Sequence, residues 1–158
     1  MKQILMFVLL GLLILPSACM ARPLPNSEFC LGGISVLETP LNEVRRIYGE
    51  PTLVQRKSYG NAYRYGDSVY FETNRYGNQE HVRYIVVSGR NGWGTPAGLT
   101  VGMKKSTMIE LYGYEQPIYN RETGYYDYMY PHKGTGAGAG MKVEVNRYDV
   151  ICRISVID

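Results

Sequence analysis

Histidine, cysteine and the bulkier aromatics are scarce in this chain, and each scarcity removes a class of function. The 158 residues hold 2 His, 3 Cys, 1 Trp and 3 Phe. His81 and His132 have no spacing that would assemble a four-ligand site, so no metal is expected. Neither stands near a serine or cysteine placed like a nucleophile. Both read as surface loop residues, and no catalytic set is expected. The glutamates are scattered, and no spacing commits two of them to a common cleft, as glycoside hydrolysis requires. Net charge is +3, without a run of Lys or Arg, which gives no case for a nucleic-acid partner. The chain is therefore expected to be no enzyme and to need no cofactor.

Long apolar runs are missing too, with one exception at the start. Met1-Lys2-Gln3 is a short positive opening, residues 4–15 are apolar and broken only by Gly11, and Pro16-Ser17-Ala18-Cys19-Met20-Ala21 supplies small and helix-breaking residues. That order reads as a secretory signal peptide over residues 1–21. The run falls short of the ~20 residues of a membrane-spanning helix, so no retained anchor is expected. Cleavage after Ala21, with Cys19 two places before it, fits the small-residue rule. The alternative is a lipoprotein box, Leu15-Pro16-Ser17-Ala18-Cys19, in which Leu15 stands one place too far upstream. Membrane contact would follow only from lipidation of Cys19. The protein is expected in the periplasm, in the cell envelope or outside the cell.

Export leaves Cys30 and Cys152 as the pair in the folded part. In an oxidising compartment they are expected to form a disulfide, worth about 4–5 kcal/mol in the loop-entropy account. Two free thiols are the alternative, because spacing does not establish proximity.

Against these absences stand 18 Gly, 15 Tyr and an internal echo. Arg46-Ile47-Tyr48-Gly49-Glu50-Pro51 returns, loosened, as Glu110-Leu111-Tyr112-Gly113-Tyr114-Glu115-Gln116-Pro117. Val44, Ile47, Tyr48 and Gly49 superpose on Met108, Leu111, Tyr112 and Gly113, and Leu37 on Val101, at a shift of 64 residues. A shift of 69 lays Ile85 and Val87 on Ile154 and Val156. In the first copy Thr39 is expected to cap a helix with Pro40 in its first turn, and Leu41, Val44, Ile47 and Tyr48 form one apolar stripe. Gly49 and Pro51 end it. The second helix is expected over 103–112, with Met108, Leu111 and Tyr112 inward. Strands are expected over 59–65, 68–73, 82–88, 125–130, 141–146 and 150–157, a further extended segment begins at Ile118, and a polar turn fills 74–80.

The fold expected is α+β, with two tandem repeats. Each is a short helix followed by a three- to four-stranded antiparallel meander, and the helices lie on one face of the sheet. The divisions are a lead-in over 22–33, a first repeat over 34–88, a Gly-rich junction over 89–98 and a second repeat over 99–158. The glycine run 134–140 opens a strand, not a helix, and lacks a Lys-Ser/Thr end, so it reads as a hairpin loop and not a phosphate loop.

Val44-Arg45-Arg46-Ile47-Tyr48-Gly49-Glu50-Pro51, Gly98-Leu99-Thr100-Val101-Gly102-Met103 and Ile109-Glu110-Leu111-Tyr112-Gly113 resemble the small-protein-A family of outer-membrane lipoproteins (SmpA/OmlA, BamE-like). They are also similar to the tandem-repeat β-lactamase-inhibitor proteins. The resemblance covers 34–88 and 98–157. It implies a non-catalytic bacterial envelope or secreted protein that binds another protein. This chain departs from the second group in having one cysteine pair where a bridge within each repeat would be expected.

Function is expected where tyrosine is concentrated. Tyr63, Tyr65, Tyr126 and Tyr128, with Trp93 in the junction, are the candidate partner-binding residues, on a sheet face left to solvent. Tyrosine combines large contact area with a polar tip and little rotamer entropy, the profile of an interface anchor. The competing reading is that tyrosine is a good strand residue and Trp93 packs the junction. A small-ligand or glycan-binding protein using the same aromatics is the alternative function.

Overall fold

The computed structural model of the chain describes residues 20–36, 38–133 and 139–158. Residues 1–19 of the expected signal peptide, Cys19 among them, and Leu37 and most of the glycine run lie outside the described residues. A two-stranded ribbon, β1 (Cys30–Leu31) and β2 (Ile34–Ser35), turns on Gly32 and Gly33, both at positive φ. Helix α1 (Leu41–Tyr48) is followed by β3 (Leu53–Arg56), β4 (Asn61–Tyr65), β5 (Val69–Tyr76) and β6 (Gln79–Val87). Helix α2 (Lys105–Tyr112) is followed by β7 (Ile118–Asn120), β8 (Tyr125–Pro131), β9 (Gly140–Val145) and β10 (Ile151–Ile157). Strands β3 to β10 form one antiparallel sheet in the order β3-β4-β5-β6-β10-β9-β8-β7. The class is α+β, with two helices set against a large antiparallel sheet.

Strands β6 and β10 meet at the middle of that sheet. Val87 faces Ile154, Val86 faces Ser155 and Ile85 faces Val156. These β-branched runs are suited to a pleated, buried surface. One register row crosses six strands through Tyr63, Phe71, Ile85, Val156, Met141 and Tyr130, and all six are buried. Side chains alternate across a strand, so this row and its neighbours two residues away form a single face. Val44 of α1, Met108 and Tyr112 of α2, and Leu31 and Ile34 of the ribbon belong to the same core.

The helices depart from expectation at their starts. Thr39 does not cap α1, because its Oγ1 accepts the Ser35 amide at 3.0 Å instead. Pro40 takes the cap position, in extended conformation. Helix α2 begins later than residue 103 because the Met103 carbonyl accepts from Ile151 and the Lys105 amide donates to Asp149, both at 2.9 Å. Those bonds tie the approach to the chain entering β10. Gly49 and Gly113 do end the helices, at φ of 78° and 84°. Ile47 and Leu111, expected inward, are 48% and 40% exposed. Each helix is too short to bury more than a narrow stripe.

Two further expectations change. The polar segment 74–80 is mostly paired strand, with Tyr76 opposite Gln79, and the turn is confined to Gly77 and Asn78. The expected disulfide is absent, and Cys30 and Cys152 are free thiols. Cys30 sits in the ribbon beside Ser35 and Gly33, while Cys152 occupies an irregularity of β10 with its thiol toward the Val150 carbonyl.

Candidate functional site: the uncovered face of the sheet

The four candidate tyrosines all project from the side of the sheet that carries the core, and the structure gives most of them internal work. Tyr63 is 2% and Tyr128 4% exposed. Neither can offer its ring to a partner without unfolding, which corrects their assignment as contact residues. The Tyr63 hydroxyl donates to Glu80 Oε2 at 2.7 Å. Burial first, and then that carboxylate, push its phenol up to about 12. Thr73 and Asn61 also donate to Glu80, at 2.9 and 2.8 Å, and hold its carboxyl below the usual range despite burial. Tyr65 is half-buried, and its hydroxyl donates to the Gly49 carbonyl at 2.9 Å. Tyr130, fully buried, donates to the Gly113 carbonyl at 3.1 Å. A strand tyrosine thus clamps the glycine that ends each helix.

Trp93 is half-buried against Tyr48, with ring centroids 4.3 Å apart. It also lies so close over Gly32 that a Cβ there would come within 2.5 Å of the indole. It fastens the 89–98 segment to α1 and the ribbon. Tyr126 is the one candidate that is exposed, at 40%. Its ring lies 5.3 Å from that of Tyr119, in a separate groove of about 620 Å³ that Arg147 and Tyr148 help to line.

The opposite face carries the residues that alternate with the core. Arg64, Tyr70, Val86, Ser155, Lys142 and Met129 form one register row across it. Tyr70 and Tyr84 meet edge to face, their centroids 6.3 Å apart, and the Arg64 guanidinium lies 6.0 Å from the Tyr70 ring. Tyr59 donates to Glu72 Oε2 at 2.7 Å, Tyr70 donates to Glu72 Oε1, and Arg83 sits 4.9 Å over the Tyr59 ring. Burial alone would raise the Glu72 carboxyl. The two phenol donors, with Arg83 and Lys57, outweigh it and keep the group below its ordinary range.

Farther along the same face Glu144 is 1% exposed, although it is a carboxylate on the side away from the core. Lys142 at 2.6 Å and Arg153 at 3.1 Å account for its burial, and Lys142 also reaches Asp127 at 3.7 Å. A buried charge persists only when paired in this way. The aromatic and ionic clusters border a groove of about 490 Å³, lined by Tyr70, Tyr84, Arg64, Lys142, Arg153 and Lys57 among others. No group of three or more His, Cys, Asp or Glu among the described residues is placed to hold a metal ion. The signal for this face was in the alternation itself, since Tyr70 and Glu72 fall opposite Val69 and Phe71.

No family model matches the chain, and no curated protein sequence matches it. Among solved structures it is similar to a DUF4309 family protein (YjgB) from Bacillus subtilis. Identity there is 13%, covering 79% of this chain and 82% of that one, with a TM-score of 0.46. It is also similar to a cysteine-rich secretory protein (SAV1118) from Staphylococcus aureus, at 9% identity and a TM-score of 0.48 over 88% of this chain. This chain spans 50% of that protein's length.

Proposed function

We propose that this is an exported, non-catalytic bacterial cell-envelope protein that binds another protein through the uncovered face of its sheet. The observation that carries the reading is the groove of about 490 Å³ in which Tyr70, Tyr84, Arg64 and Arg153 converge on a face that no other element covers among the described residues. Tyrosine and arginine are the residues most enriched among interface anchors, and a sheet face rich in both gains most from being covered. Export rests on the order of charge, apolar run and small residues over 1–21.

The proposal includes a chain built of two repeats, each a helix with a four-stranded meander. The strand order reads the same from either edge when β3–β6 and β7–β10 are exchanged. The tyrosine clamp on the helix-ending glycine occurs once in each half, at Tyr65–Gly49 and Tyr130–Gly113. The 69-residue shift carries Val86 onto Ser155, its own cross-strand partner. That pairing is expected of two copies joined about a local two-fold axis. The likeness to the SmpA/OmlA (BamE-like) and tandem-repeat inhibitor families is kept as part of this proposal, on the duplicated exit motif.

The test is capture from envelope extracts with the protein and with a Tyr70→Ala/Tyr84→Ala variant. Recovery of a defined partner should fall for the variant and hold for Tyr126→Ala. Equal recovery by all three would remove the face assignment. A second reading, small-ligand or glycan binding, is favoured by one observation. Tyr119, Tyr126 and Tyr148 are 54%, 40% and 64% exposed around the groove of about 620 Å³. Glycan-array binding that Tyr126→Ala abolishes, without a protein partner, would favour it.

A further inference from the structure

Strand β3 is an edge of the sheet, and all four of its residues are exposed. Leu53 and Val54 are 55% and 49% accessible, an unusual amount of apolar surface on a strand with one side unpaired. Which backbone groups face outward follows from the pairing. The Lys57 amide donates to the Gly60 carbonyl, and the register sets Gln55 opposite Ala62 and Leu53 opposite Arg64. In an antiparallel ladder the bonded positions alternate, so residues 53, 55 and 57 bond inward to β4. The amides and carbonyls of Val54 and Arg56 therefore point away from the sheet, ready to pair with another strand.

Basic residues predominate beside these groups, and Glu72, whose carboxyl feels Lys57, is already engaged by Tyr59 and Tyr70. Arg56, Lys57 and Arg64 have no carboxylate within ion-pair distance among the described residues. Gln55, Lys57 and Arg64 also line the groove of the open face, so the edge and the groove are one continuous surface. Of the two acids lining that groove, Glu144 is already neutralised by Lys142 and Arg153, which leaves Asp67. The opposite edge, β7, has three residues and follows directly on Pro117.

We infer that β3 accepts an extended acidic segment of a partner protein as a ninth strand. In antiparallel addition the segment sets a pair of carboxylates opposite Lys57 and Arg56 and a pair of apolar residues opposite Val54 and Leu53. Backbone bonds to an edge supply affinity in such pairing, and the alternating side chains supply choice. The cations serve twice, since charges that repel a second copy of this edge attract an acidic strand. The inference rests on the docking reading above and adds the partner's chemistry and its point of entry.

The probe is acetyl-Thr-Asp-Glu-Thr-Val-Ile-Thr-amide, titrated to millimolar concentration into the ¹⁵N-labelled protein, with the Asp-Glu pair replaced by Lys-Lys as the second arm. The acidic peptide should shift the Val54 and Arg56 amide signals and slow their hydrogen exchange by about an order of magnitude. The Lys-Lys peptide should do neither. Val54→Pro removes an outward N–H while leaving the bonds to β4, and it should abolish the slowing. Arg56→Glu combined with Lys57→Glu keeps the backbone and should transfer the response to the Lys-Lys peptide. Unchanged exchange at Val54 and Arg56, or an equal response to both peptides, would overturn the proposal. Shifts confined to Tyr70 and Tyr84 would also overturn it while leaving the docking face intact.

Discussion

Two faces of one sheet are built from alternating residues of the same strands, and tyrosine serves opposite ends on them. On the covered face its hydroxyl is a tether. Tyr63 holds Glu80, Tyr65 holds Gly49 and Tyr130 holds Gly113. On the open face Tyr59 and Tyr70 share one carboxylate, Glu72, and Tyr70 and Tyr84 keep their rings half in solvent beside arginines. Residue type is common to both settings. What differs is the alternation around them: Tyr63 and Tyr65 flank Arg64, which belongs to the open-face row, whereas Tyr70 itself stands between the core residues Val69 and Phe71. An aromatic-rich strand announces a half-buried surface. It does not by itself say which half is wet.

The comparison breaks most easily at adjacent residues of β5. Phe71→Ala should cost about 3–5 kcal/mol in urea unfolding, because a fully buried ring leaves a cavity. Tyr70→Ala, one residue away, should cost about 1 kcal/mol, since its ring is half-exposed. Equal costs would mean that both faces are buried.

Next in size are the tethers. Tyr130→Phe removes a buried hydroxyl and leaves the Gly113 carbonyl unpaired, a loss of about 1–3 kcal/mol. Tyr65→Phe, at a half-exposed tether, should lose about 1 kcal/mol or less. Calorimetric unfolding of the two variants side by side would rank the halves of the chain.

The pH dependence sharpens the account at Tyr63. Its folded pKa, about 12, lies above the ordinary 10.0, so the unfolded chain loses this proton first. Its contribution is intact below pH 10 and should be lost as the solution is taken up to about pH 12. Glu80 has the reverse sign. Its folded carboxyl titrates below 4.5, so its contribution is present above that pH and fades as acid is added. Tyr63→Phe should flatten both limbs of a stability-against-pH curve, whereas Tyr84→Phe should leave the acid limb unchanged. The smallest expected effect is chemical. Intact mass should not change on treatment with reductant, because Cys30 and Cys152 are unbridged. A gain of two hydrogens would restore the disulfide.

Much of the fold was legible, for reasons that can be named. Gly49 and Gly113 end helices because each sits at positive φ, and a glycine after an apolar stripe is a local signal. Alternation gave β5, β9 and β10 and correctly set Val69 and Phe71 opposite Tyr70 and Glu72. Strand β3 carries no such signal, because none of its four residues is buried and an edge needs no alternation. The start of α2 was misplaced because backbone bonds to the chain around Asp149 and Ile151, far off in sequence, settle it. The site was half legible. Tyr63 and Tyr128 prove to be buried on the core face, because a phenol suits both a buried tether and a wet anchor. Nothing local in the sequence could reveal Glu144 as buried, since Lys142 two residues away and Arg153 on the neighbouring strand jointly hide it.

The measurement closest to the central claim is hydroxyl-radical footprinting of the tyrosines, read by mass spectrometry, on the protein alone and on its complex with the captured partner. Alone, Tyr70 and Tyr84 should be modified well above Tyr63, Tyr128 and Tyr130; in the complex, Tyr70 and Tyr84 should become protected while Tyr119 and Tyr148 stay reactive. Protection of Tyr119, Tyr126 and Tyr148 with Tyr70 and Tyr84 unchanged would contradict the account and move the interface off the uncovered face.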